Sequence, residues 1–246
     1  MLLTVKNLTK TYYQYKPIQA LDHISFQIDA GEIIAVIGES GSGKSTLAQC
    51  LCRFINSDEG EILFDGQDIT HISEQHCKKI YSQMQMVFQN PIASFHPRKT
   101  LRKSIMAGPQ NFHIHMNQSA WYQLVEEVQL NTSFLDRYPH QISGGECQRA
   151  ALLRALCINP KLLVCDEVTS ALDVSTQGKI ADLIKNICCN HHIACLFITH
   201  DLCLARWIST KTMVLHNGRL IEKGPTEQIF INPQKDYTKK LLSSRI

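Results

Sequence analysis

Three short stretches hold residue types whose spacing suits phosphate chemistry. The first, Gly38-Glu39-Ser40-Gly41-Ser42-Gly43-Lys44-Ser45-Thr46, fits the P-loop pattern. Its glycines let the backbone curl so that several N–H groups face one phosphate chain, and a helix starting at Lys44 adds unpaired donors and a positive dipole end. Lys44 is then placed to reach the β/γ-phosphates, and Ser45 to ligate Mg²⁺. The second stretch, Lys161-Leu162-Leu163-Val164-Cys165-Asp166-Glu167, is an apolar run ending in two acids. Asp166 is the expected Mg²⁺ partner, directly or through water, and Glu167 the candidate base or positioner of an attacking water. The third, Ile142-Ser143-Gly144-Gly145-Glu146-Cys147-Gln148-Arg149, opens a helix with small residues and a hydroxyl, which suits a second anion.

These residues need a scaffold, and the hydrophobic pattern supplies one. Leu3–Leu8 and Ile24–Ile28 alternate, predicting an antiparallel β start. Glu32–Ile37 is instead a continuous β-branched run, expected of a strand buried on both faces just before the P-loop. A helix from Lys44 to Phe54 and a strand from Glu61 to Phe64 follow. Between Asn90 and Asn159 the strand signal disappears, and helical spacing at Trp121–Leu130 and Cys147–Cys157 predicts an inserted helical subdomain. The alternation then resumes: strand 161–165, helix 176–187, strand 193–199 and helix 202–208. A hairpin turning at Asn217-Gly218 and a short helix over 237–242 close the chain. The expected fold class is α/β: a P-loop NTPase core with a mostly parallel sheet, an N-terminal antiparallel β subdomain and an inserted α-helical subdomain. The core takes residues 1–89 and 160–246 and the helical subdomain residues 90–159, all in one domain.

Composition removes several function classes. The 246 residues carry 25 Lys+Arg against 22 Asp+Glu, too even a balance for a dedicated nucleic-acid binder, so no nucleic-acid partner is expected. The longest apolar run, Ile193–Ile198, is far short of the ~20 residues that cross a bilayer. The N-terminus lacks a signal-peptide pattern, which points to a cytoplasmic protein whose membrane link runs through a partner. The ten cysteines are expected to be reduced core residues. The cluster Cys188, Cys189, His191, His192 and Cys195 has no zinc-type paired spacing and is read as a helix end leading into a strand.

With all three stretches in this order, the chain resembles the nucleotide-binding subunits of ATP-binding-cassette (ABC) transporters. Ser143-Gly144-Gly145-Glu146 is similar to the family signature, with Glu146 where Gln is usual and Ile142 where Leu is usual. The resemblance implies further roles. Gln89 matches the loop glutamine that senses Mg²⁺ and faces the membrane partner. Ser170-Ala171-Leu172-Asp173 matches the loop crossing a dimer interface, and His200 the histidine that contacts the γ-phosphate. Tyr12 matches the adenine-stacking aromatic, with neighbouring Tyr13 as the alternative.

The stretches Phe88–Arg98, Cys195–Leu202 and Asp236–Leu242 resemble the oligopeptide, dipeptide and nickel importer group, although Phe95-His96 departs from its usual Leu-Asn. The chain stops soon after Leu242, which leans toward the short nickel-type or metal-chelate subunits. The resemblance implies an ATPase using ATP and Mg²⁺ on the cytoplasmic face of the cell membrane. It also implies a second ATPase subunit (a heterodimer), two permease subunits and an extracytoplasmic solute-binding protein. The signature of one subunit then caps the ATP held by the other. A soluble ABC ATPase and an exporter subunit are the alternatives. Soluble members generally carry two cassettes or a coiled-coil insertion, and neither is present here.

Overall fold

The computed structural model describes residues 1–13 and 16–244. In chain order the elements are β1 (Leu3–Tyr13), β2 (Pro17–Ile28), β3 (Ile33–Ile37), α1 (Lys44–Leu51), β4 (Glu59–Phe64), β5 (Gln67–Asp68), α2 (Glu74–Tyr81) and β6 (Met84–Val87). Next come α3 (Leu101–Asn111), α4 (Gln118–Glu127), α5 (Gly144–Leu156), β7 (Leu162–Asp166), α6 (Val174–His191) and β8 (Ala194–Ile198). The last are α7 (Leu202–Ile208), β9 (Lys211–His216), β10 (Arg219–Pro225), α8 (Thr226–Ile231) and α9 (Asp236–Ser243). An antiparallel sheet runs in the order β2-β1-β4-β5, and a six-stranded sheet in the order β10-β9-β3-β8-β7-β6. In the latter β9, β3, β8, β7 and β6 are parallel, and β10 folds back antiparallel on β9.

The continuous apolar runs of β3, β7 and β8 follow from covering on both faces. Ile34, Val36, Leu162, Val164, Leu196 and Ile198 pack toward the antiparallel sheet, with α1 in the same cluster. The alternate residues Ile33, Leu163, Cys165, Cys195 and Phe197 belong to the opposite cluster, with α3, α4, α5 and α6. The carboxyl end of β3 feeds the P-loop and that of β7 bears Asp166, so one edge of the sheet presents both motifs.

Several expectations shift. The helix after the P-loop stops at Leu51 rather than Phe54, because Arg53 turns into left-handed backbone at φ 57°. The N-terminal strands are longer than their alternating cores, and β4 starts at Glu59. Strand β6 and helices α2, α3 and α8 have no counterpart in the sequence reading. The middle third is helical as expected, with α4 beginning at its Asn117 cap and α5 at its Ser143 cap. Helix α6 runs from its Asp173 cap through Cys188 and Cys189 to His191. All ten cysteines are free thiols; eight are buried, and Cys189 and Cys203 are exposed. The Cys188–Cys195 stretch diverges in space: Cys188 and Cys195 lie in the core, while His191 bonds Glu127 of α4 at 2.8 Å. Among the described residues no group of three or more His, Cys, Asp or Glu side chains is arranged to hold a metal ion.

Candidate functional site

The P-loop is a tight bend locked from two sides. Gly38 approaches β9 so closely that a Cβ there would stand 2.2 Å from the Leu215 carbonyl oxygen. Gly43, in left-handed backbone at φ 103°, would carry a Cβ 2.3 Å from the Ala20 carbonyl oxygen of β2. Lys44 is buried, and its Nζ donates to the carbonyls of Gly38 (2.9 Å) and Glu39 (2.8 Å) across the bend. The Ser42 N–H donates to Glu39 O at 3.2 Å, closing the turn. Gly43 caps α1 through its backbone alone, so the first-turn N–H groups point into the bend as donors for an anion.

The acids meet this loop from β7. Ser45 Oγ donates to Asp166 Oδ1 at 3.1 Å, joining motifs 121 residues apart. Burial, and secondarily the nearby Glu167 charge, push the Asp166 carboxyl above its usual range; the Ser45 hydrogen bond and Lys44 act the other way. A hydroxyl oxygen and a carboxylate whose charge is disfavoured where it sits, both hard donors, fit a divalent cation between them.

Glu167 leaves the strand in left-handed backbone at φ 48°, its N–H held by Ile198 O at 3.0 Å. Its carboxylate accepts from Gln89 Nε2 at 3.3 Å and lies 3.7 Å from His200 Nδ1. Gln89 Nε2 also donates to Ser170 Oγ (3.1 Å), which in turn donates to Glu167 O (2.9 Å). Gln89, Glu167 and His200 thus form one polar cluster from three chain segments.

A cleft of about 540 Å³ lies beside the loop, lined by Gln89 and Glu167 and by Ile18, Gln19, Ala20 and Asn217. Ser40, Gly41, Gly43, Lys44, Ser45 and Thr46 of the P-loop complete its lining. A cavity of similar size, about 570 Å³, lies among Leu124, Leu156 and Ile193 and offers no phosphate grip. The sequence reading missed Ile18, Gln19, Ala20 and Asn217; the Asn-Gly hairpin was visible, but not its destination. Tyr12 pairs across the strands with Ile18 and Tyr13 with Pro17, so Tyr12 shares the face of the cleft-lining Ile18.

The signature stretch stands apart from this cleft. Ser143 caps α5, and the Glu146 carboxylate turns back to accept from both the Ser143 N–H and its hydroxyl, each at 2.8 Å. Gly144 and Gly145 seat α5 on the loop before α6 and on α6 itself: a Cβ would lie 3.3 Å from Leu172 Cδ2 in the first case and 2.9 Å from Thr176 Cγ2 in the second. Asp173 caps α6, accepting from Ser175 Oγ, Thr176 Oγ1 and the Thr176 N–H, and these hydrogen bonds hold its carboxyl down to about 2.

A glycine-rich bend after a buried parallel strand, with a second strand delivering Asp166 beside its serine, defines a P-loop nucleotide-binding protein. Residues 21–170 match the ABC transporter family, and the chain belongs to that family. It is 42% identical over 232 residues to the oligopeptide transport ATP-binding protein AppF of Bacillus subtilis (strain 168), covering 92% of this chain and 70% of that protein. It is 40% identical over 235 residues to the glutathione import ATP-binding protein GsiA of Escherichia coli (strain K12). That match covers 93% of this chain but only 37% of GsiA. Among solved structures, the dimeric post-hydrolysis state of the ATP-binding cassette MJ0796 bound to ADP and Pi superposes with a TM-score of 0.82 at 28% identity. It covers 92% of this chain and 99% of that one. The fold is the ABC ATPase cassette, with its antiparallel N-terminal sheet and mostly parallel second sheet, and the chain is an ATP-binding ATPase. Among the described residues no helix is long and apolar enough to cross a membrane.

Proposed function

We propose that the chain is the ATP-hydrolysing subunit of an importer for small peptides, working on the cytoplasmic face of the membrane beneath a permease. The observation that supports the reading best is the Ser45–Asp166 contact at 3.1 Å beside the Gln89–Glu167–His200 cluster, an arrangement suited to gripping phosphate next to a hydrolytic group. Lys44 and the first-turn N–H groups of α1 hold the β/γ-phosphates. Ser45 and Asp166, with Gln89 alongside, hold Mg²⁺, which neutralises phosphate charge when bound. Glu167 orients the attacking water and takes its proton, and His200 contacts the γ-phosphate. Tyr12 stacks on the adenine.

Ser143 and Asp173 serve a second site. Both lie at helix N-termini outside the chain's own cleft, which suits presentation to the ATP of a second ATPase subunit. A heterodimer is the reading we favour. ATP then drives closure, hydrolysis releases it, and two permease subunits turn the motion into alternating access for solute delivered by a binding protein. Exposed Phe54, Phe88 and Ile92, close to Gln89 in the chain or stacked on one another, offer the permease an apolar landing surface.

The names of AppF and GsiA, which denote oligopeptide transport and glutathione import, favour a peptide-class solute over the nickel chelate considered from sequence. Isolating this subunit from native membranes in mild detergent tests the reading. Two permeases, a second ATPase and a peptide-binding protein should co-purify. Recovery of only soluble partners would overturn it.

A further inference from the structure

The Asn-Gly hairpin between β9 and β10 is built into the cleft. The Gly218 N–H donates to Ser42 O of the P-loop at 3.1 Å, and Gly218 O accepts from the Asp22 N–H at 2.8 Å. A Cβ on Gly218 would stand 3.0 Å from the carbonyl oxygens of both Gln19 and Ala20. The hairpin tip, the β2 backbone and the P-loop therefore meet at one lip, with no room for a larger residue at 218. Asn217 sits at that tip in left-handed backbone, φ 47°, and lines the cleft with Ile18 and Gln19.

The Asn217 side chain is also oriented. Its Nδ2 donates to His216 Nε2 at 3.2 Å, in the imidazole tautomer that leaves Nε2 unprotonated. The His216 ring is in turn stacked on Tyr237 of α9, centroids 3.8 Å apart. With the amide nitrogen engaged, the Oδ1 acceptor lies on the opposite side of the carboxamide.

Resting on the reading that ATP occupies this cleft, the direction of the nucleotide follows from charge and chemistry. The γ-phosphate belongs beside Glu167 and His200, so the sugar and base extend toward the lip formed by Ile18, Gln19 and Asn217. We propose that Asn217 is a specificity-determining residue that reads the base. Its Oδ1 accepts a hydrogen bond from the exocyclic 6-amino group of adenine. Guanine presents a carbonyl at that position, and two acceptors facing each other repel, so adenine nucleotides are selected over guanine nucleotides.

Calorimetric titration of the full chain with ATP and with GTP, without Mg²⁺ so that nothing is hydrolysed, tests this assignment. The unmodified protein should bind ATP about tenfold more tightly than GTP. Asn217→Gly, which keeps the left-handed backbone unstrained, should bring the ratio close to one, chiefly by weakening ATP. Asn217→Asp retains an acceptor oxygen and tolerates that backbone, and should keep the preference. The assignment is overturned if the unmodified protein shows no preference, if the glycine variant keeps it or loses both nucleotides equally, or if the aspartate variant loses it. Lys44→Ala separates the two levels of the argument. If it leaves both nucleotides bound as before, the ATP-cleft reading itself fails; if it abolishes binding while the Asn217→Gly ratio stays high, only the role of Asn217 fails.

Discussion

Asp166 illustrates a residue whose stability and function pull apart. Its folded-state carboxyl is pushed above the ordinary range by burial, so ionisation there costs more than in the unfolded chain. For such an acid the penalty is full above the raised folded value, shrinks as pH falls through it, and vanishes below the unfolded value near 3.8. Asp166→Asn should therefore raise the melting temperature of the ligand-free chain at pH 7 by about 2 °C while removing Mg²⁺-dependent hydrolysis. The gain should disappear in melts near pH 4, and a lower melting temperature at pH 7 would contradict the origin of the shift. Individual site residues were legible because a P-loop is local: Gly38 to Thr46 are contiguous, and their chemistry shows in their order. Asn217 and Gln19 were not, because nothing local marks a hairpin tip as lying against a loop far earlier in the chain, where Gly218 bonds Ser42. Tyr12 and Tyr13 are chemically equivalent in sequence, and only strand pairing with Ile18 and Pro17 separates them.

Among elements, the seat of α5 on α6 links the signature to the loop beyond Glu167. Gly145 leaves room for the Thr176 methyl group, where a Cβ would stand at 2.9 Å. Gly145→Ala improves helix propensity, so on propensity alone it should stabilise. The contact predicts the reverse: a loss of about 1 kcal/mol in denaturant unfolding, with hydrolysis by the assembled complex also reduced. Thr176→Ser removes the methyl group but keeps the hydroxyl that bonds Asp173 at 2.8 Å, so the double variant should recover both stability and turnover. Simple additivity of the two changes would remove this contact from the account. Strands buried on both faces, β3, β7 and β8, were the most legible elements, since an unbroken apolar run has few other uses. Strand β6 was missed because four residues, Met84-Gln85-Met86-Val87, are too few for periodicity and its role is fixed by pairing with β7. Helix ends at Ser143 and Asp173 were set by capping side chains rather than by the apolar spacing that marked the helix bodies.

At the scale of the whole molecule, one chain carries a complete phosphate grip, its acids and a signature that turns away from them. The Glu146 carboxylate holds Ser143 within its own helix cap, so any anion reaching that serine from a partner must compete for the same N–H and hydroxyl. On the proposed reading the signature acts only in an assembly, and ATP-dependent closure is then the step on which the cycle turns. The central claim is that Glu167 performs hydrolysis in a cleft whose ATP-binding parts are separate from it. It is tested most directly by measuring phosphate release and bound ATP in the purified membrane complex carrying Glu167→Gln in this subunit. Turnover at this site should fall by at least about a hundredfold while ATP remains bound beside Lys44. Unchanged phosphate release from this subunit's site, or loss of ATP binding along with turnover, would contradict the assignment.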